Sequence, residues 1–176
     1  MTIKYTVSEQ DFINFNLFHF KHSRQNKIER FFATYGIGIL ALVGIAAFFH
    51  DNIAALVLGV GFVVLYVILF QRFFNRTIER EAKKIIDTGR VDDFLGSQKT
   101  TLKDDHIEEV FRRSKSITKY SSVERIGYGY GCIFVYLGPV RAIIIPVVSA
   151  FSNDEQRDKF INILKEKTGK EPFGTL

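Results

Sequence analysis

The chain has 176 residues, 47% hydrophobic and 24% charged, with a formal net charge of +5; this length leaves room for one modest soluble domain once the apolar middle is set aside. Its one cysteine, Cys132, excludes an internal disulfide framework and any CxxC metal or redox motif. Charge is segregated to the two flanks of a nearly charge-free middle, and a basic excess beside apolar spans is expected from orientation in a membrane, which explains it better than a nucleic-acid partner does.

Thr2 to Val7 alternates as a short strand, and Ser8 with Asp11 three residues later predicts a helix N-cap. Phe12, Phe15, Phe18 and His22 then fall at helical spacing, widened by Ile13, Leu17 and Phe20. Residues 1–30 read as a strand and an amphipathic helix whose apolar face must be buried, either on the C-terminal domain or in the headgroup region. The Lys21, Arg24, Lys27, Arg30 series favours contact with anionic lipid headgroups.

Phe31 to Phe49 carries no charge and, at about 1.5 Å per residue, reaches roughly 28 Å, the thickness of a hydrocarbon core. The His50, Asp51, Asn52 break and a second charge-free run from Ile53 to Phe70 predict an antiparallel transmembrane hairpin over 31–70. The first run begins too late for a signal peptide and is expected to stay in the mature protein. Lys21, Arg24, Lys27 and Arg30 precede it, Arg72, Arg76, Arg80, Lys83 and Lys84 follow the second, and the turn has no Lys or Arg. This bias puts both termini in the cytoplasm. Thr34 and Gly38, and Ala55 and Gly59, have the small-xxx-small spacing of close helix packing, within the hairpin or through a second face in a homodimer.

Residues 71–96 read as a cytoplasmic helical extension and linker, with Ile78, Ala82 and Ile85 on one face and Gly89 as terminator. Over 97–176, six β-like runs lie around Gln98 to Lys103, Ile107 to Arg112, Ser116 to Tyr120, Val123 to Tyr128, Cys132 to Leu137 and Ala142 to Pro146. Asp104-Asp105, the Gly127 to Gly131 stretch and Gly138-Pro139 supply turns short enough for an antiparallel meander. A capping box of Ser152 with Glu155 starts an amphipathic helix through Phe160, Ile161 and Leu164 that ends at Gly169. The fold class is α+β: a two-helix transmembrane hairpin plus one curved antiparallel sheet closed by a C-terminal helix.

Asp104, Asp105, His106, Glu108 and Glu109 form the one dense set of metal-ligand residue types. On a strand His106 and Glu108 share a face while Glu109 points the other way, so a solvated hairpin tip explains them better than a metal site. Gly127-Tyr128-Gly129-Tyr130-Gly131 lacks the Lys-Ser/Thr and the helix of a phosphate loop and reads as a hairpin turn, with Tyr128 and Tyr130 as candidate partner contacts. Cys132 has no activating base beside it. Apart from Tyr35 and Tyr66, the spans hold no ionisable group that would mark an ion pathway. No catalytic, metal or cofactor residue is assigned, and no cofactor is expected.

The stretch IIIPVVSAFSNDEQRDKFINILKEK, from Ile143 to Lys167, resembles the ending of the YcxB-like bacterial membrane proteins: an apolar strand into a proline, Ala-Phe, a helix cap and an amphipathic helix. YTVSEQDFINFNLFHFKHS, from Tyr5 to Ser23, followed by two spans, also resembles that family. Where the family often has a tryptophan and a basic pair this chain has Tyr120 and Val147-Val148, which removes two candidate ligand contacts. The resemblance implies a PH-like domain on a hairpin in the bacterial inner membrane. The function expected is a non-catalytic, membrane-anchored binding module with a protein or anionic-lipid partner. An immunity or regulatory protein that occupies another membrane protein is the alternative. Less favoured are a metal-dependent hydrolase using Asp104 to Glu109 and a nucleic-acid binder using Lys99, Lys103, Arg112, Arg113, Lys115 and Lys119.

Overall fold

The alternation of TIKYTV places Ile3, Tyr5 and Val7 on one face of strand β1 (Thr2–Val7), and all three are buried. In a computed structural model, which describes residues 1–23, 28, 31–49, 51–89, 91, 94–112, 114–139 and 141–174, this strand pairs antiparallel with β2 (Gly96–Leu102), far along the chain, in the register Tyr5 to Gln98. The described residues group into two units, Met1–Phe18 with Ala82–Leu176, and His19–Glu81. The N-terminal strand and most of the following helix therefore belong to the same unit as the C-terminal strands, rather than to a separate 1–30 segment.

That unit is α+β, with two four-stranded sheets, antiparallel except for one short edge strand, where the sequence suggests one curved sheet. The first has the order β1-β2-β3-β4, with β3 at His106–Phe111 and β4 at Ser114–Lys119. The second has the order β7-β6-β5-β8, with β5 at Arg125–Gly129, β6 at Cys132–Tyr136, β7 at Ala142–Pro146 and a two-residue β8, Pro172–Phe173, lying parallel to β5. The larger core lies between Ile3, Tyr5, Leu102 and Ile107 of the first sheet and Ile126, Ile133, Val135 and Ile145 of the second. Phe160 and Leu164 of the C-terminal helix close it. All five residues of β6 are buried because both its faces are covered, which is why CIFVY reads as an unbroken apolar run.

The second cover is helix α1 (Glu9–His22). The Ser8 hydroxyl and Asp11 exchange hydrogen bonds at its start, Ser8 Oγ donating to Asp11 Oδ2 at 2.6 Å and Asp11 N donating to Ser8 Oγ at 3.2 Å, a reciprocal cap as the spacing predicts. Its Phe15 and Phe18 pack with Phe134 and Tyr136 on the outer face of β6, with the Phe18 and Phe134 ring centroids 4.9 Å apart. Ile13 packs with Ala82, Ile86 and Val91. The Phe face of α1 is thus core, the first of the two burial sites its pattern allows, and not the headgroup contact that the basic series after it favours. Ile86 takes the buried place expected of Ile85, which is 39% exposed. Helix α5 (Asp154–Thr168), which follows the short α4 (Val147–Ala150), is capped one residue later than expected: the Asn153 side chain accepts from Gln156 N at 2.8 Å, and Gly169 ends it with φ +66°.

The His19–Glu81 unit contains α2 (Ile37–Phe49), preceded by a π-helical turn at Phe32–Gly36 in place of the regular helix expected there, and most of α3 (Ile53–Asp87). Tyr66 Oη donates to the carbonyl of Ala33, inside the π turn, at 2.9 Å; π turns disturb the regular carbonyl ladder and are held by such side-chain donors. Among the described residues α3 is the one helix long and apolar enough to cross a membrane; the apolar helical stretch Phe32–Phe48 is shorter. Val57, Leu58, Phe62, Leu65, Leu69 and Phe73 are each more than half exposed. The partly covered Ala55, Gly59, Val63, Tyr66 and Phe70 make a narrow stripe at helical spacing.

A Cβ at Gly59 would lie 2.7 Å from Ile45, whereas one at Gly61 would meet nothing within 4 Å. We expect Gly59→Leu to lower stability in detergent by about 1–3 kcal/mol and Gly61→Leu to leave it within about 0.5 kcal/mol. Thermal unfolding of the two purified variants against the parent checks this.

Candidate functional site

The acidic cluster divides as strand alternation requires. His106 Nδ1 lies 2.6 Å from Asp105 Oδ1 at the β2–β3 turn, and that hydrogen bond holds the Asp105 carboxyl below the usual range. Glu108, on the same face as His106, pairs with Lys115 of β4 at 2.9 Å, which lowers its pKa. Glu109 points the other way, into the protein, and is 8% exposed. Among the described residues no three His, Cys, Asp or Glu side chains converge to hold a metal ion.

The glycine-rich stretch is mostly strand. Only Tyr130 and Gly131 turn, with φ +52° and +72°, the two left-handed positions of a two-residue hairpin between Gly129 and Cys132. Tyr130 is exposed there, its ring edge-on to Phe18 at 6.5 Å, while Tyr128 is half-buried on β5 against the larger core. The two tyrosines therefore do not form one patch. Gly127 has a packing role: a Cβ there would lie 2.5 Å from Phe18 Cε1 and 3.3 Å from Tyr136. Buried Cys132 donates to Asp11 Oδ1 at 3.5 Å, and burial pushes its thiol pKa far up, so the thiolate is disfavoured. Lys21 is exposed; Arg24, Lys27, Arg30, His50 and Arg113 lie outside the described residues.

What the structure adds is a cavity of about 170 Å³ inside the α+β unit. Helix α1 gives it Phe12 and Phe15, β3 gives Glu109 and Phe111, β2 gives Gln98, β7 gives Ala142 and Ile144, and Arg141, just before β7, and Phe94 also line it. Register explains the arrangement: Glu109 pairs with Thr100 and Phe111 with Gln98 across the inner face of the first sheet. The polar neighbours are engaged elsewhere. Thr100 Oγ1 and Tyr5 Oη hydrogen-bond to each other at 2.8 Å, and Gln98 Nε2 donates to the Phe94 carbonyl at 2.6 Å. Burial raises the Glu109 pKa to about 7, with Arg141 opposing the rise. Sequence reasoning placed Glu109 on the face opposite Glu108 but missed its depth. The signal was its position between Ile107 and Phe111 at i−2 and i+2. Arg141 and Phe94, brought in by tertiary packing, gave none.

Two measurements follow. The native Glu109 carboxyl holds its proton more tightly than the unfolded one, so its contribution is fully present below about pH 4.5 and falls as pH rises through about 7, by about 3 kcal/mol in total. Glu109→Gln, neutral and nearly isosteric, should be more stable than the parent above that pH and lack this slope, read as thermal unfolding against pH. Gly127→Ala should speed hydrogen exchange in the β5–β6 hairpin, a loss of about 1–3 kcal/mol, more than Gly138→Ala, whose added methyl meets nothing within 4 Å.

No curated protein and no solved structure matches the chain. Residues 102–164, about a third of the chain, match the family model described as YcxB-like protein. They run from the end of β2 through Glu109, Gly127 and Arg141 to Leu164, so the chain carries a YcxB-like region that includes much of the cavity wall and the glycine seat of Phe18.

Proposed function

We propose that the chain is a non-catalytic, membrane-anchored binding module. Two spans, 31–49 and 53–70, form a hairpin with both termini in the cytoplasm and hold a PH-like unit at the inner face of the bacterial cytoplasmic membrane, where it takes a protein or anionic-lipid partner.

The observation that carries this reading is α3 (Ile53–Asp87): its apolar half exposes large aliphatic and aromatic side chains over more than half its circumference, which hydrocarbon tolerates and water does not. The same helix continues into a charged segment whose Ala82 and Ile86 join the α+β core, so anchor and module share one element. The Tyr66 to Ala33 hydrogen bond and the fit of Gly59 against Ile45 support a hairpin. The order of a four-stranded sheet, then β5 to β7, then one closing helix supports the PH-like reading. Tyr130 is an exposed aromatic that a protein partner could contact, and the sequence series Lys21, Arg24, Lys27, Arg30 suits anionic headgroups.

Topology is the first test. With Cys132 replaced, single cysteines at Asn52 and Ser152 should label from outside intact cells only at Asn52; labelling of Ser152 would overturn the orientation. The partner is tested by a photo-crosslinking residue in place of Tyr130 or of Lys159, which is exposed on α5. A discrete protein or lipid adduct from the first position and none from the second is the expected result. No adduct from Tyr130, together with no change in lipid selectivity when Lys21, Arg24 and Lys27 are replaced by Gln, would overturn the binding role.

A further inference from the structure

We propose that the cavity beside Glu109 is a binding site for a small organic ammonium on an aromatic or short apolar stem, an inference that rests on reading the chain as a binding module. Three observations lead there. The volume, about 170 Å³, suits one ring with a short substituent, since a dry cavity of about 150 Å³ holds benzene. Four of the lining residues are phenylalanines, Phe12, Phe15, Phe94 and Phe111; aromatic faces attract cations as well as apolar groups, and they do so more strongly where water is excluded. The one acidic group in the lining, Glu109, is more than nine-tenths buried and has no hydrogen bond or ion pair among the described residues.

The Glu109 carboxyl opens onto the cavity with no partner among the described residues, and its polar neighbours do not satisfy it. Thr100 is bonded to Tyr5, and Gln98 is bonded to the Phe94 carbonyl. Arg141 is exposed and makes no ion pair with Glu109. The charged and titratable groups that face Glu109 are Arg141, just before β7, and the Tyr5 hydroxyl, on β1; α1 and Phe94 contribute only apolar rings to the lining. An ammonium ligand would supply the missing cation and donors to the carboxylate while its stem fills the space between the rings. An anionic ligand would have to sit beside Glu109 with only the exposed Arg141 in its favour.

The probe is benzylamine, titrated calorimetrically into the full chain in detergent. It stays protonated from about pH 6 to about pH 8, while Glu109 passes from about one-tenth to about nine-tenths ionised. Affinity should therefore rise about tenfold across that range. Benzyl alcohol should bind more weakly and without that pH dependence. Glu109→Gln should weaken benzylamine by at least about tenfold at pH 8 with its thermal unfolding transition intact, and Arg141→Gln, which removes the opposing cation, should tighten it. Nanodiscs identify the source of the ammonium. Lower benzylamine affinity in phosphatidylethanolamine than in phosphatidylglycerol points to a lipid headgroup, and equal affinity to a soluble amine. No benzylamine binding at either pH, unchanged binding in Glu109→Gln, or tighter binding of benzoate than of benzylamine would each overturn the proposal. The titration is independent of membrane orientation. Unexpected labelling of Ser152 would therefore refute the anchoring geometry alone, and absent benzylamine binding would refute this site alone.

Discussion

The ring of Phe18 rests on bare backbone at Gly127, a contact in which a single added methyl group would have to displace an aromatic side chain. Much of the α+β unit depends on that approach. It lets α1 come down on the outer face of β6, so that Phe15 and Phe18 meet Phe134 and Tyr136 and bury the second face of a strand whose first face is already in the main core. A sheet covered on both sides needs apolar residues at every position, and β6 has them. Without the helix, Phe134 and Tyr136 would face water.

The same docking creates the cavity. Phe12 and Phe15 overhang the inner face of the first sheet where its own side chains do not fill the space, and Glu109 occupies the floor. At that position a leucine would extend the apolar row of Ile107 and Phe111, so the carboxyl is retained against the preference of its surroundings. Its raised pKa, set by burial and moderated by Arg141, measures that conflict. Natural sequences concentrate such conflicts at sites with a task.

Sequence patterns were informative where they are local. The Ser8 and Asp11 cap, the stop at Gly169, the alternation of β1 and the split of His106 and Glu108 from Glu109 follow from spacings of two to four residues. The apolar helix from Ile53 followed from an uninterrupted run. What eluded the sequence depends on tertiary placement. A Phe, Leu and Ile helix face followed by basic residues has the same pattern whether it is buried by lipid or by a sheet, and only the glycine waiting at 127 distinguishes them. The division into two sheets turns on where the chain bends after Lys119, through the 3₁₀ turn Tyr120–Ser122, and no periodicity announces a bend. The π turn at Phe32–Gly36 lies in an apolar run that would suit a regular helix equally well.

Strand β1 and helix α1 are made first, but their partners lie beyond the inserted hydrophobic segment; the Tyr5 and Thr100 hydroxyls that meet in the core are 95 residues apart in the chain. A ribosome adding about 5–20 residues per second leaves the first strand and the Phe face of α1 without their native cover for several seconds. During that interval the nascent chain exposes an unpaired strand edge and a cluster of aromatic rings beside a segment that itself seeks an apolar environment. Folding of the α+β unit therefore cannot proceed from one end to the other: it must wait for the 82–176 stretch to arrive and then close by long-range pairing, the slowest kind of contact to form.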